Sequence, residues 1–179
     1  MIDLPINRQR ITAVAYHASS DGALGLTPIG SQANQGLLKR LLNTVAGGSS
    51  DGPRWYLIHG GDGPSTSALN VGAAAGTDVY APVSGTIVGI GDVILDGKIA
   101  ARRVDIQPSD SPSVIISVSH IALDPSLVVG AMLTEARSKL GVVEDLSSFF
   151  TTQAISRYTN DVGNHVLIEA HTAATLDGP

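Results

Sequence analysis

Apolar and polar residues alternate along much of this chain with a period of two, in short runs cut by glycine and proline. Strand side chains point to opposite faces in turn, so this pattern predicts half-buried strands. They are expected at residues 10–16 (RITAVAY), 55–59 (WYLIH), 77–81, 85–91, 93–96, 101–107 and 113–120, and from His165 to about Ala170. Pro82, Pro108 and Pro112 punctuate them, as sheet edges and corners require. Residues 126–143 carry Leu127 to Val129, a glycine, then Met132, Leu133, Leu140, Val142 and Val143, which reads as short strands joined by turns. The strings GGSSDGP (47–53) and GGDGPSTS (60–67) read as loops.

The period changes in two places. Leu37, Leu38, Leu41, Leu42 and Val45 recur at helical spacing, with Lys39, Arg40, Asn43 and Thr44 on the other face and Gly47-Gly48 as a stop. Further on, Ser147 or Ser148 can cap a helix running to about Tyr158, with Phe149, Phe150, Ala154, Ile155 and Tyr158 facing inward. The predicted fold is mainly β with two short helices, a β-sandwich or partly open barrel. Residues 1–54 are expected to form a strand, a loop and an amphipathic helix packing on a β core of residues 55–171, and residues 172–179 a fraying tail.

At 179 residues, with 43% apolar residues and mean hydropathy +0.20, the chain can bury a core and is not disordered. Only 15% of residues are charged, and 20 glycines and nine prolines suit a turn-rich β protein. A net charge of −5 argues against nucleic acid or an anionic membrane as partner. With no cysteine, disulfides, thiol catalysis and thiolate zinc sites are excluded. No apolar run is long enough to span a bilayer, and MIDLPINRQR does not read as a signal peptide.

Candidate chemistry centres on five histidines, His17, His59, His120, His165 and His171. His165 and His171 share a strand face with Leu167 and Glu169 if the strand runs that far. In IHGGDG, His59 and Asp62 combine imidazole and carboxylate, a pair zinc accepts, but the same string is ordinary turn chemistry. Asp78 and Asp92 read as structural. No Gly-x-Ser-x-Gly elbow is present, and GIGDVILDG lacks the third glycine and the Lys-Ser/Thr of a phosphate loop.

The string GTDVYAPVSGTIVGI (76–90) closely resembles the core hairpin of lysostaphin-type (LytM-like) zinc endopeptidases, enzymes that cut peptidoglycan cross-links. SVSHIALDPSLVVGAML, with His120, is similar to the family's Tyr-x-His-Leu element, and GNHVLIEAH, with His165 and Glu169, to its closing His-x-His strand. The resemblance covers residues 55–171 in order and spacing. It implies the family's duplicated-hybrid-motif fold and an extracytoplasmic setting. Biotinyl/lipoyl carrier domains share such hairpins, but neither Lys98 nor Lys139 has the Ala-Met-Lys context of a carrier lysine.

The departures from the family carry the functional expectation. Its three zinc-ligand positions fall on Thr66, Asn70 and Leu167, while its two non-ligand histidines fall on His120 and His165. A Thr/Asn/Leu set cannot hold zinc by imidazole and carboxylate, and without metal there is no activated water. The resemblance therefore implies a degenerate, non-catalytic module with no metal and no cofactor. Its old substrate groove, with Thr66, Asn70, Leu167 and Glu169 as binding residues, would hold a peptide, a cell-wall glycan or a protein partner. The alternative is a metallohydrolase that binds zinc through displaced ligands drawn from His59, Asp62, His120, His165 and His171. A homo-oligomer is compatible with the low surface charge. Residues 17–46, outside the family-like core, read as a docking element or a lid.

Overall fold

The computed structural model describes residues 1–19, 22–34 and 52–173. The chain is mainly β, as the alternation predicts. Among the described residues eleven strands run in chain order: β1 (Ala13–His17), β2 (Ser31–Gln32), β3 (Arg54–Leu57), β4 (Ala68–Gly72), β5 (Asp78–Tyr80), β6 (Gly85–Leu95), β7 (Lys98–Pro108), β8 (Val114–Leu123), β9 (Met132–Leu133), β10 (Lys139–Val143) and β11 (His165–Thr172). They form one mixed sheet, ordered β2-β3-β1-β4-β11-β8-β7-β6-β9, with β10 bridging β8 and β5. The sheet does not close into a barrel. β1–β3 and β2–β3 are parallel pairs, and the others are antiparallel.

The core lies against one face of the central strands. Val14 and Tyr16 of β1, Leu69 and Val71 of β4, Ile116 and Val118 of β8, and Val166 and Ile168 of β11 meet Val79, Ile87, Val104, Ile106 and Leu140. A second cluster joins Ala100, Ala101 and Leu146 with Val93, Leu95 and Phe149, so the Leu146 region anchors the long β6–β7 hairpin.

Three expectations are corrected. β4 was not expected: ALNVG, given no element by the sequence pattern, is a fully buried strand in the middle of the sheet. Its Ala, Asn and Gly have low strand propensity, but their small volume lets β1 and β11 flank them closely. The runs 85–91 and 93–96 are one strand, carried through a register shift between Val93 and Ile94. No helix begins at Ser147 or Ser148. Only a 3-10 helix, Ala154–Tyr158, forms, with Ile155 buried and Phe150 and Ala154 exposed. There Asp145 Oδ1 accepts from Ser147 N, and Asn164 Oδ1 from Leu146 N, holding the segment in turns. The helix expected from Leu37 to Val45 lies outside the described residues. β1, from the N-terminal portion, sits inside the sheet between β3 and β4.

Candidate functional site

Alternation places a second set of side chains on the face of β1, β4, β11 and β8 away from the core. Cross-strand pairing orders them in rows. Ala15 faces Asn70, Asn70 faces Leu167, and Leu167 faces Ser119. One row over, His17 faces Ala68, Ala68 faces Glu169, and Glu169 faces Ser117. On the other side Ala13 faces Gly72 and Gly72 faces His165. Asn70 is thus the centre of the face, directly opposite Leu167 and diagonal to His165, Glu169 and His17, at roughly 7–8 Å spacing. The 3-10 helix covers part of this face through Ile155, which packs on Ala13 and Ala15.

His120 reaches the same face by a break in the strand. Four residues of β8, Val118 to Ile121, lie opposite three residues of β7, Val104 to Arg102. The extra residue makes a bulge, and His120 takes φ +64°, the left-handed region that non-glycine residues seldom occupy. Val118 and Ile121 both stay in the core, so the bulge absorbs the odd residue and turns His120 toward β11. The same residue marks a change of neighbour. β11 pairs with β8 up to Ser119, β10 takes over from Ile121, and Glu144 N donates to the His120 carbonyl between them.

The two imidazoles meet there. His120 Nδ1 lies 3.2 Å from His165 Nε2, with the rings edge to face. His165 Nδ1 lies 2.9 Å from the Gly163 carbonyl oxygen, which can only accept. Neutral His165 therefore carries its proton on Nδ1 and presents a lone pair at Nε2. His120 must donate to that lone pair from Nδ1, which leaves its own Nε2 as an acceptor. Burial pushes His120 down to about 3, helped by the neighbouring His165 and by His17. Burial also pushes His165 down to about 4, opposed by its bond to Gly163 and assisted by His17. Both rings are neutral at neutral pH.

The remaining predicted residues are placed as follows. Asn70 is 4% exposed, and its Oδ1 is buried without a hydrogen-bond partner among the described residues. The Thr66 hydroxyl, in the turn before β4, donates to the Leu26 carbonyl at 2.7 Å and is thereby tied to the irregular segment beside it. Leu167 is half-buried opposite Asn70. Because β11 extends to Thr172, His171 joins the face, and its Nε2 lies 3.7 Å from Glu169 Oε2. His59 and Asp62 are exposed in the loop between β3 and β4. Asp78 pairs with Lys139 and Asp92 with Arg102.

His17, one of the five candidate histidines, occupies the face one row from Asn70. One feature of the face escaped sequence reasoning. Asp105, buried, accepts from Ser117 Oγ at 2.7 Å and pairs with Arg103 at 3.1 Å, extending the polar face across β7. The alternation of Arg103, Asp105 and Gln107 with Val104 and Ile106 was the available signal.

Zinc does not fit the donors that the family positions supply. Thr66 is engaged elsewhere, Leu167 has no lone pair, and a single amide oxygen remains at Asn70. Among the described residues no three or more His, Asp or Glu side chains are grouped so as to hold a metal ion. A cavity of about 1310 Å³ is lined by the N-terminal segment, β1 and the start of β3, and includes none of Asn70, His120, His165 or Glu169.

No family model matches the chain, and no curated protein matches it. Among solved structures, a chain of the SpoIIQ-SpoIIIAH pore forming complex is similar at 14% identity, over 96% of this chain and 83% of that chain, with a TM-score of 0.45.

Proposed function

We propose that this chain is a non-catalytic, lysostaphin-type peptidase-like module that binds a peptide or protein segment on the Asn70–Leu167 face. The observation that carries the reading is the direct pairing of Asn70 with Leu167, next to the buried His120–His165 pair. Two positions at which the family resemblance expects zinc ligands lie side by side and carry an amide and an alkyl group. The polar surroundings are those of a groove that recognises rather than one that activates water. A peptide is favoured over a glycan because the aromatic rings nearest the face, Tyr56 and Tyr158, stack on each other at 4.1 Å instead of offering a ring face to a sugar.

The test is retention on an array of peptides and peptidoglycan fragments, with Leu167→Trp as a groove-filling variant. The reading expects retention by the native chain, loss with Leu167→Trp at unchanged circular dichroism, and no cleavage of the fragments with added zinc. Zinc-dependent turnover would replace this reading with the displaced-ligand hydrolase, and retention indifferent to Leu167→Trp would move binding to another surface.

A further inference from the structure

We infer that the sheet face centred on Asn70 is a binding site for a primary ammonium group, from a lysine side chain or a free peptide amino terminus. This rests on the face being a binding site and names the chemistry it takes.

Three acceptors without a donor among the described residues lie on this face, alongside the Asn70 Nδ2 donor. Asn70 Oδ1 is buried with no partner among the described residues, a position that costs free energy until a donor reaches it. His120 Nε2 is left as a lone pair by the hydrogen-bond chain through His165 to Gly163. His17 is held the same way. Its Nδ1 lies 2.8 Å from the Ala18 carbonyl oxygen, so the neutral ring donates there and keeps Nε2 as an acceptor. Burial of the His120–His165 pair keeps both rings neutral, so they do not repel a cation.

Charge comes from Glu169. It lies diagonal to Asn70 on β11, and its row holds small Ala68 between it and His17. Among the described residues its carboxylate meets only the His171 Nε2, at 3.7 Å, beyond hydrogen-bond length. A carboxylate with several neutral acceptors, in a setting walled by Leu167, Ala15 and Ala68, matches a compact head with three N–H donors on an alkyl stem. A guanidinium is planar and asks for paired carboxylate oxygens, which one half-buried Glu169 supplies poorly.

The experiment is a titration of the tag-free chain, labelled with ¹⁵N-histidine, at pH 7.5 and fixed ionic strength. n-Butylammonium is the probe, n-butanol its neutral twin, and tetramethylammonium a cation without N–H donors. The expected result is saturable movement of the His120 and His17 Nε2 resonances with n-butylammonium, at least about tenfold weaker with either control. Glu169→Gln should weaken the probe by at least about tenfold while the β6–β7 amide resonances stay in place. Nα-acetyl-lysine methylamide and alanyl-alanine amide then separate the two sources, the tighter naming the natural one. Absence of saturable movement, or equal binding of n-butanol, overturns the inference. If peptides are still retained through Leu167 in that case, the binding module stands and only its ligand class falls; if they are not, the module reading falls with it.

Discussion

Acidification from pH 8 to pH 5 should strip this protein of a large part of its stability through two residues. In the unfolded chain His120 and His165 take up protons near their ordinary value of 6.5; in the folded chain they stay neutral until about 3 and about 4. Between those limits the unfolded state binds more protons, so folding free energy falls as pH falls. The contribution is complete above pH 6.5 and is lost progressively below it. At pH 5 each histidine lies about 1.5 pH units below its unfolded value, which is about 2 kcal/mol per residue and about 4 kcal/mol for the pair. That is a substantial share of the 5–15 kcal/mol typical of a domain. Urea unfolding at half-unit steps of pH, read by Trp55 fluorescence, measures it. The double variant His120→Gln/His165→Gln is the control, because it should flatten the curve above pH 5. Asp78, Asp124 and Asp145, held below the usual carboxylate range chiefly by hydrogen bonds from Lys139, Ser126 and Ser147 respectively, lose their contributions only at lower pH and do not confuse the window. A native chain whose stability changes by less than about 1 kcal/mol across the window, or a double variant with the native slope, refutes the buried neutral pair.

Three further outcomes follow from the same structure. His120→Gly should be more stable than His120→Ala by about 1 kcal/mol in urea unfolding, because glycine relieves the left-handed backbone that alanine retains. Gly141→Ala should cost several kcal/mol, roughly 2–4, since a Cβ there, at the register shift of the β10–β5 pair, would strike the Ala122 carbonyl oxygen of β8, and thermal unfolding reads the loss. Leu146→Ala should cost about 2–5 kcal/mol and speed amide exchange along β6 and β7, because Leu146 is the fully buried anchor under Val93, Leu95 and Ala101.

Period-two alternation made the strands legible wherever β-branched residues occupied the buried face, as in RRVDIQ and SVIISVS. It failed at β4, where Ala68, Asn70 and Gly72 carry no strong apolar signal on the face away from the main core and only Leu69 and Val71 remain to alternate. That strand holds the centre of the site, so the position of Asn70 rested on counting from the neighbouring hairpin. The segment 147–158 misled in the opposite direction. Phe149, Phe150 and Ile155 imitate a helical stripe, while Asn164, eighteen residues after Leu146, holds it in turns by a bond no local pattern encodes. His120 shows the same limit. Its left-handed backbone arises because β8 trades β11 for β10 at that residue, a constraint set by strands distant in sequence. Both histidines of the pair were legible as candidates, but their tautomers, and the lone pair left at His120 Nε2, needed the Gly163 carbonyl.

The account turns on whether this face can grip a metal ion. Calorimetric titration of zinc into tag-free, chelator-stripped protein at pH 7.5 addresses it directly, followed through the His120 and His165 ring resonances. The account predicts no one-to-one association tighter than about 10 μM and an undisturbed N–H···N contact. Stoichiometric nanomolar binding that displaces either imidazole from its partner would contradict it.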